Sequence, residues 1–297
     1  MARTIVLAAL LLAVAAPPPC RSQSLPGLPG DSGAGATAPS YAASLKPEHP
    51  VLPPDVSPPD EKTSAVAASP VATIPAAIRP PQPALIVVGF AGGYVRRNST
   101  VHGEVQLAEH LRNTYGSTIH AEIFENHHGR EAHREILRLV GASAGDASTG
   151  AMTEAAKRAA RIILYGHSWG ASEAVAMARQ LERDGVPVLL LVQVDGVPKL
   201  GEDDAVIPAN VAQAVNFYQL DGLLHGRRRI RAADPAATTI LGNFRLTYKD
   251  TGVACPGYPW YTRAFTKPHI EIENDPRVWN KVEALILSNL ILSKATP

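Results

Sequence analysis

The sequence predicts an α/β protein with a mostly parallel central sheet and helices on both faces of that sheet. From residue 84 onward, short apolar runs alternate with segments of helical pattern, which is typical of strands joined by helical crossovers. The runs at residues 84–88 and 186–194 are apolar at almost every position, as expected for strands covered on both faces. At residues 161–174 an apolar run also passes through a short turn straight into a helix-like segment.

The chain is predicted to have three parts. Residues 1–16 contain Arg3, an apolar stretch and terminal small residues, which is the pattern of a secretory signal peptide. Residues 17–83 hold 17 of the 26 prolines, and a segment of this composition buries too little apolar surface to fold, so we expect a disordered tether. Residues 84–297 form the folded domain.

The N-terminal pattern predicts an exported protein, periplasmic or secreted. Its apolar stretch is short for a membrane span, so no integral span is expected in the mature form. An uncleaved segment would instead leave the protein tethered to the membrane.

Composition argues against several classes of partner. Lys and Arg total 28 against 27 Asp and Glu, so no bulk attraction to nucleic acid or anionic membrane is expected. The basic cluster at residues 227–231 lacks interleaved aromatic residues and is predicted to be a solvated loop. With only Cys20 and Cys255 present, no disulfide framework is indicated.

The individual elements follow from local periodicity. Apolar runs of four to eight residues predict strands, and apolar residues three or four positions apart predict helices. In chain order we predict a strand at 84–88, a helix at 105–115, a strand at 118–124, a helix at 133–140, a strand at 162–164, a helix at 171–182, strands at 186–194, 216–220 and 239–248, and a helix at 276–293. The insertion at 222–268 is longer than an ordinary connection, and we expect it to contain one more strand of the sheet, at 239–248.

The turn within residues 161–174 has the sequence Gly166-His167-Ser168-Trp169-Gly170. A serine in so sharp a strand-to-helix turn must adopt strained backbone angles, and the flanking glycines let strand and helix approach without a Cβ collision. This geometry exposes the Ser168 hydroxyl and places the Trp169 N–H at a helix N-terminus, where it favours an anion. The stretch therefore predicts a nucleophilic serine.

This stretch strongly resembles the nucleophile elbow of the α/β-hydrolase superfamily, in particular its lipase and esterase branches. The resemblance covers about residues 84–297 and implies an α/β-hydrolase fold. It also implies a nucleophile, an acid and a histidine in that order along the chain.

Two histidines follow the candidate acids. His269 precedes the final predicted helix, in a loop position where the resemblance places the base, whereas His225 neighbours the arginine cluster, which disfavours an imidazole that must accept a proton. We therefore predict His269 as the base and a structural role for His167. The histidines at 127, 128 and 133 have no carboxylate or thiol partner at metal-ligand spacing, so no metal is expected.

Asp195 and Asp221 each follow a predicted strand, and topology alone leaves both open as the acid. Residues 195–197, 208–211 and 216–219 resemble a bacterial group of α/β-hydrolases with an aspartate after the strand that follows the elbow. That resemblance implies Asp195.

Residues 89–93, Gly-Phe-Ala-Gly-Gly, are similar to the His-Gly-x motif of lipases, with Val88 in place of the histidine. The resemblance implies that the Phe90 N–H is the second oxyanion donor, beside the Trp169 N–H.

Together these residues predict a serine hydrolase that cleaves carboxylic esters, of small molecules or lipids, through an acyl-serine intermediate. It would need no metal or organic cofactor. Two alternatives stay open: an acyltransferase on the same fold, and a non-catalytic binding protein that kept the fold. The oligomeric state is not indicated.

Aromatic residues are concentrated at residues 255–261, just before His269. We predict that these rings line the rim of an apolar acyl pocket. The alternative is that Trp260 and Tyr261 only anchor a long loop.

Overall fold

A computed structural model describes residues 84–143 and 153–294. The predicted signal peptide (1–16) and tether (17–83) lie outside the described residues. The described residues all belong to the predicted folded domain, residues 84–297.

The described residues contain eight strands and six helices. The strands are β1 Leu85–Ala91, β2 Ile119–Glu125, β3 Ile162–His167, β4 Val188–Val194, β5 Val206–Ile207, β6 Val211–Gln219, β7 Arg231–Ala232 and β8 Thr239–Leu246. The helices are α1 Gly103–Tyr115, α2 Gly129–Ser143, α3 Glu154–Ala159, α4 Trp169–Arg183, α5 Trp260–Glu273 and α6 Pro276–Lys294. None of these six helices is both long and apolar enough to cross a membrane.

Six strands form one parallel sheet in the order β2-β1-β3-β4-β6-β8. The first connection runs outward from β1 to β2, and the next crosses back to place β3 on the other side of β1. In such doubly wound sheets, ligands bind beyond the carboxyl ends of the strands where the order reverses. That point lies between β1 and β3. The two-residue strands β5 and β7 pair separately.

Each face of the sheet is covered by helices, as its side-chain alternation requires. On β1, Ile86, Val88 and Phe90 belong to one core cluster, which also includes residues of α2, α3 and α4. Leu85 and Val87 belong to a second cluster with residues of α1, α5 and α6. The predicted fold class, a parallel sheet with helices on both faces, is confirmed.

The main departure from the predicted elements is α5. Residues 222–268 were expected to contain a single strand, but their C-terminal part belongs to this helix. Pro259 is the N-cap, and Pro268 lies inside the helix, next to a break in helical geometry at Thr266. Proline lacks the N–H that a continuous helix needs. Because of these two prolines, residues 259–268 have a sequence pattern that is typical of a loop.

Candidate active site

Ser168 lies between the end of β3 and the start of α4, with φ 54° and ψ −122°. This positive φ is uncommon for a residue with a side chain and stores strain. The flanking glycines make the turn sterically feasible: a Cβ on Gly166 would lie 2.3 Å from the Gly170 carbonyl carbon, and one on Gly170 would lie 2.0 Å from the Phe90 oxygen. The strand β3, the helix α4 and the strand β1 are therefore in van der Waals contact around Ser168.

Three predicted residues come together at this turn. His269 Nε2 is 2.9 Å from Ser168 Oγ, and His269 Nδ1 is 2.7 Å from Asp195 Oδ2. Ser168 and Asp195 directly follow the neighbouring parallel strands β3 and β4, so both lie at the same edge of the sheet. His269 reaches them from α5. A hydroxyl, an imidazole and a carboxylate in this relay can activate the hydroxyl as a nucleophile.

Asp195 is fully buried and well supplied with hydrogen-bond donors. Gln219 Nε2 donates to Oδ2 at 2.8 Å, and the Gly226 N–H donates to Oδ1 at 2.7 Å. Burial opposes ionisation, but the bonds from His269, Gln219 and Gly226 outweigh it and hold the Asp195 pKa below its usual range. An ionised carboxylate only accepts hydrogen bonds, so Nδ1 of His269 carries the proton and Nε2 is left to accept one from Ser168.

Asp221, the alternative acid, has a different role in the structure. Its Oδ2 accepts the Tyr248 N–H at 2.7 Å and the Thr247 hydroxyl at 2.8 Å. It therefore fastens the chain that follows β8. The alternative base, His225, is not among the residues that line the cavity at Ser168.

His269 was predicted to lie in a loop before the final helix, and the structure corrects this. It lies within α5, one residue after Pro268 and beyond the break at Thr266. The break gives the second half of the helix its own direction, and His269 is 6% exposed there. The imidazole is thus carried by a hydrogen-bonded helical turn.

Ser168 and His269 open onto a mainly apolar cavity of about 90 Å³. Its walls come from the loop after β1, the start of α4, the chain around residue 224, and α5. The lining residues are Gly92, Gly93, Tyr94, Val95, His102, His167, Ser168, Trp169, Val197, Leu224, Tyr258, Thr262, Thr266, His269, Ile270 and Glu273.

The two predicted oxyanion donors have different outcomes. Trp169 is the first residue of α4 and lines the cavity. Phe90 lies inside β1, fully buried with its ring 6.5 Å from that of Phe124, and the structure does not bring it to the cavity. The strand continues to Ala91, so the loop that reaches Ser168 begins at Gly92, three residues after the predicted loop start at Gly89.

The aromatic segment before α5 contributes one ring to the cavity, that of Tyr258. Trp260 is 72% exposed and does not line the cavity. The prediction that Trp260 forms the rim is therefore wrong, because the helix that starts there turns its first residue toward solvent.

A second polar group beside the cavity was missed by the sequence analysis. Glu273 Oε1 accepts from His102 Nδ1 at 2.5 Å, and Glu273 Oε2 accepts from the Tyr258 hydroxyl at 2.8 Å. His167 Nδ1 lies 3.7 Å from Glu273 Oε1. Glu104 completes the group: its Oε1 accepts the Gly92 N–H at 3.2 Å. The one sequence signal was the spacing of Glu273 four residues after His269, which places both on one helix face.

The buried charges of this group perturb one another. Burial and the negative charge of Glu273 raise the Glu104 pKa to about 8. Burial also opposes ionisation of Glu273, but His167, His102 and Tyr258 outweigh it and lower that pKa to about 2. For His102, burial favours the neutral ring, yet the bond to Glu273 raises its pKa to about 9. Burial lowers the His167 pKa to about 4.

Two sets of side chains with metal-ligand chemistry bear on the predictions. Glu125, His127 and His128 offer ligand atoms within 4.8 Å of one another, and Glu125 Oε2 is 3.1 Å from His127 Nε2. The structure thus supplies the carboxylate partner that the sequence analysis did not find, although none of these residues lines the cavity. The second set is His102, Glu104 and Glu273.

His133, the third histidine considered for a metal, has a separate role. Its Nε2 pairs with Asp184 Oδ2 at 2.6 Å. It therefore joins α2 to the end of α4.

Comparisons with known proteins give a limited set of similarities. No family model matches the sequence, and no curated protein matches it. Among solved structures, the chain is similar to a dienelactone hydrolase-like promiscuous phosphotriesterase from metagenomic libraries, at 14% identity over 70% of this chain and 86% of that one, with a TM-score of 0.31. It is also similar to RedJ with a polyethylene glycol molecule bound in the active site, at 14% identity over 69% and 96%, with a TM-score of 0.28. The fold itself, six parallel strands with helices on both faces, is of the α/β class that the resemblance to α/β-hydrolases implies.

Proposed function

We propose that this protein is a serine hydrolase that cleaves carboxylic esters through an acyl-serine intermediate. The observation that carries the proposal is the relay from Ser168 Oγ through His269 to Asp195, with contacts of 2.9 and 2.7 Å, at the wall of an apolar cavity. Nucleophile, base and orienting carboxylate are each within hydrogen-bond reach of the next.

In the first half-reaction His269 Nε2 takes the proton of Ser168 Oγ as that oxygen attacks the ester carbonyl carbon. The resulting oxyanion accepts the Trp169 N–H and a second N–H from the loop after β1. Because the Gly92 N–H already donates to Glu104, we assign the second donor to Gly93 or Tyr94. His269 then protonates the departing alcohol as the carbon–oxygen bond breaks.

In the second half-reaction water takes the place of the alcohol. His269 accepts a proton from water as it attacks the acyl carbonyl, and then returns a proton to Ser168 Oγ as the acid leaves. Asp195 stays ionised throughout and stabilises the imidazolium that forms twice in each cycle. The apolar walls strengthen these electrostatic interactions relative to water.

The size of the cavity bears on substrate class. At about 90 Å³ it is smaller than the ~300–1,000 Å³ of sites for drug-sized ligands. We propose esters with short acyl groups, of small molecules or of lipids.

Labelling with a fluorophosphonate probe tests the proposal, because such probes react with activated serines. The wild-type domain should be labelled at Ser168 and should hydrolyse p-nitrophenyl acetate, whereas Ser168→Ala should do neither while keeping its thermal midpoint. A folded wild-type protein that resists the probe would support a binding role. Acyl transfer to an added alcohol at the expense of hydrolysis would support the acyltransferase alternative.

A further inference from the structure

Two buried carboxyl groups lie close together beside the cavity, and one of them contacts the loop that approaches Ser168. Glu104, at the start of α1, is fully buried, and Glu273, at the end of α5, is 3% exposed. Their ligand oxygens lie within 4.8 Å of each other. Two ionised carboxylates cannot share such a site without a compensating cation or proton.

The hydrogen-bond partners show which group carries the negative charge. Glu273 accepts from His102 at 2.5 Å and from Tyr258 at 2.8 Å, so donors surround it. Glu104 accepts the Gly92 N–H through Oε1, and its buried Oε2 has no hydrogen-bond partner among the described residues. An oxygen without a donor is the natural position for a proton.

We propose that Glu104 is a positioning residue of the site, which acts as a neutral carboxylic acid that accepts the Gly92 N–H and donates its own proton to Glu273. The inference rests on the proposed function, since its effect is on the oxyanion loop of that reaction. Gly92 adjoins the assigned donors, and a Cβ there would lie 3.2 Å from Ser168 Cβ. Glu273 lies one helical turn after His269. Glu104 therefore joins the oxyanion loop to the helix that carries the base.

Other groups around Glu104 set how this contact responds to pH. His102 and Glu273 are the nearest charges, and His167 on β3 and the Tyr258 hydroxyl face Glu273. From β3, the Tyr165 hydroxyl donates to the Glu104 backbone oxygen at 2.9 Å. Loss of the Glu104 proton would set a second negative charge against Glu273, with one imidazolium to balance both. The hydrogen bond from Glu104 to Glu273 should therefore be lost in mildly alkaline solution.

Substitutions at Glu104 separate the hydrogen-bonding role from simple packing. Glu104→Leu keeps the approximate volume but can neither accept from Gly92 nor donate to Glu273, so we expect kcat to fall about 10- to 100-fold with KM changed less than threefold. Glu104→Gln keeps a carbonyl oxygen for Gly92 and an N–H for Glu273, and should restore most of kcat at pH 7. Glu109→Gln, at an exposed position of the same helix, is the matched control and should behave as wild type.

The pH profile of kcat is the decisive measurement, since a packing role would not move it. Between pH 7 and 10 the wild-type kcat should decline as Glu104 ionises, and the decline should be smaller in Glu104→Gln. Identical profiles for these two proteins would overturn the inference, as would a Glu104→Leu enzyme with wild-type kcat. If Glu104→Leu fails to fold, the Gln profile decides alone.

Metal content and labelling complete the experiment. A stoichiometric divalent ion in the purified wild-type protein, whose removal by EDTA lowers kcat, would replace the proposed proton with a cation and overturn the inference. Fluorophosphonate labelling of Ser168 is measured in parallel on every variant. Failure of wild-type labelling would contradict the proposed function, whereas normal labelling with unchanged pH profiles would contradict only the role of Glu104.

Discussion

His269 and Glu273 lie one helical turn apart on α5, and both line the cavity that contains Ser168. His269 bonds Asp195 and Glu273 bonds His102, so two imidazole–carboxylate pairs share one helix. Only the first pair contacts Ser168. The second pair, His102 and Glu273, is connected through Glu104 to the loop after β1, which carries the proposed oxyanion donor. One helix thus carries both the imidazole that is proposed to transfer protons and the carboxylate that is proposed to connect to this loop.

The two aspartates that follow neighbouring strands should differ sharply in their effect on activity. Asp195→Asn places an amide against His269, which then favours the wrong tautomer, and we expect kcat to fall about 10⁴-fold. Asp221→Asn should keep activity within about threefold, because Asp221 bonds the chain after β8 and not His269. The measurement is kcat/KM for p-nitrophenyl acetate at pH 7, and the reverse ranking would reassign the acid.

The second glycine of the elbow, Gly170, should tolerate no side chain. A Cβ on Gly170 would lie 2.0 Å from the backbone oxygen of Phe90, so Gly170→Ala should lower the free energy of unfolding by at least ~2 kcal/mol and disturb Ser168. Gly141→Ala is the matched control: a Cβ there meets nothing within 4 Å, and in a helix it should stabilise by about 0.5–1 kcal/mol. Urea denaturation measures both, and equal effects would refute the close packing at the elbow.

The exposed position of Trp260 predicts that it has no part in acyl selection. Trp260→Ala should leave kcat/KM unchanged for acetyl, butyryl and octanoyl esters. Leu224→Ala, which enlarges the cavity wall, should raise the octanoyl-to-acetyl ratio by about threefold or more, as a methylene group is worth ~0.8 kcal/mol when buried. A length-dependent loss in Trp260→Ala would return that ring to the rim.

Thermal stability should have its maximum between about pH 4.5 and 6.5. In that range the contribution of Glu104 falls, but that of His167, whose pKa is lowered from 6.5 to about 4, rises and offsets it. The Glu273 pKa is lowered from 4.5 to about 2, so its contribution is present above pH 4.5 and is lost as the pH falls toward 2. The pKa of Glu104 is raised from 4.5 to about 8, and the pKa of His102 is raised from 6.5 to about 9. Their contributions are complete below those ordinary values and are lost as the pH rises through 8 and 9.

Scanning calorimetry from pH 3 to 10 tests this profile. Glu104→Gln cannot ionise at this position, so its midpoint should fall less on the alkaline side than that of the wild type. A midpoint that stays constant from pH 6 to 10 in the wild type would contradict the assigned protonation states.

The sequence predicted those parts of the site that are determined locally. The elbow is set by two glycines and a serine within five residues, and Asp195 directly follows an apolar strand. The Glu104–Glu273 contact joins residues at opposite ends of the domain, and no local pattern encodes it. Helix α5 was missed because Pro268 is normally a helix breaker. The end of β1 was predicted at Val88 instead of Ala91 because it depends on the pairing of that strand with β2 and β3.

The indole N–H of Trp279, in α6, donates to the backbone oxygen of Glu273 at 2.5 Å. Gly103 packs against the same oxygen, since a Cβ on Gly103 would lie only 2.2 Å from it. The last helix thus fastens the turn of α5 that carries His269. During synthesis the elbow emerges from the ribosome 101 residues before the base that it contacts. A nascent chain therefore contains Ser168 before it contains His269, the base of the proposed mechanism.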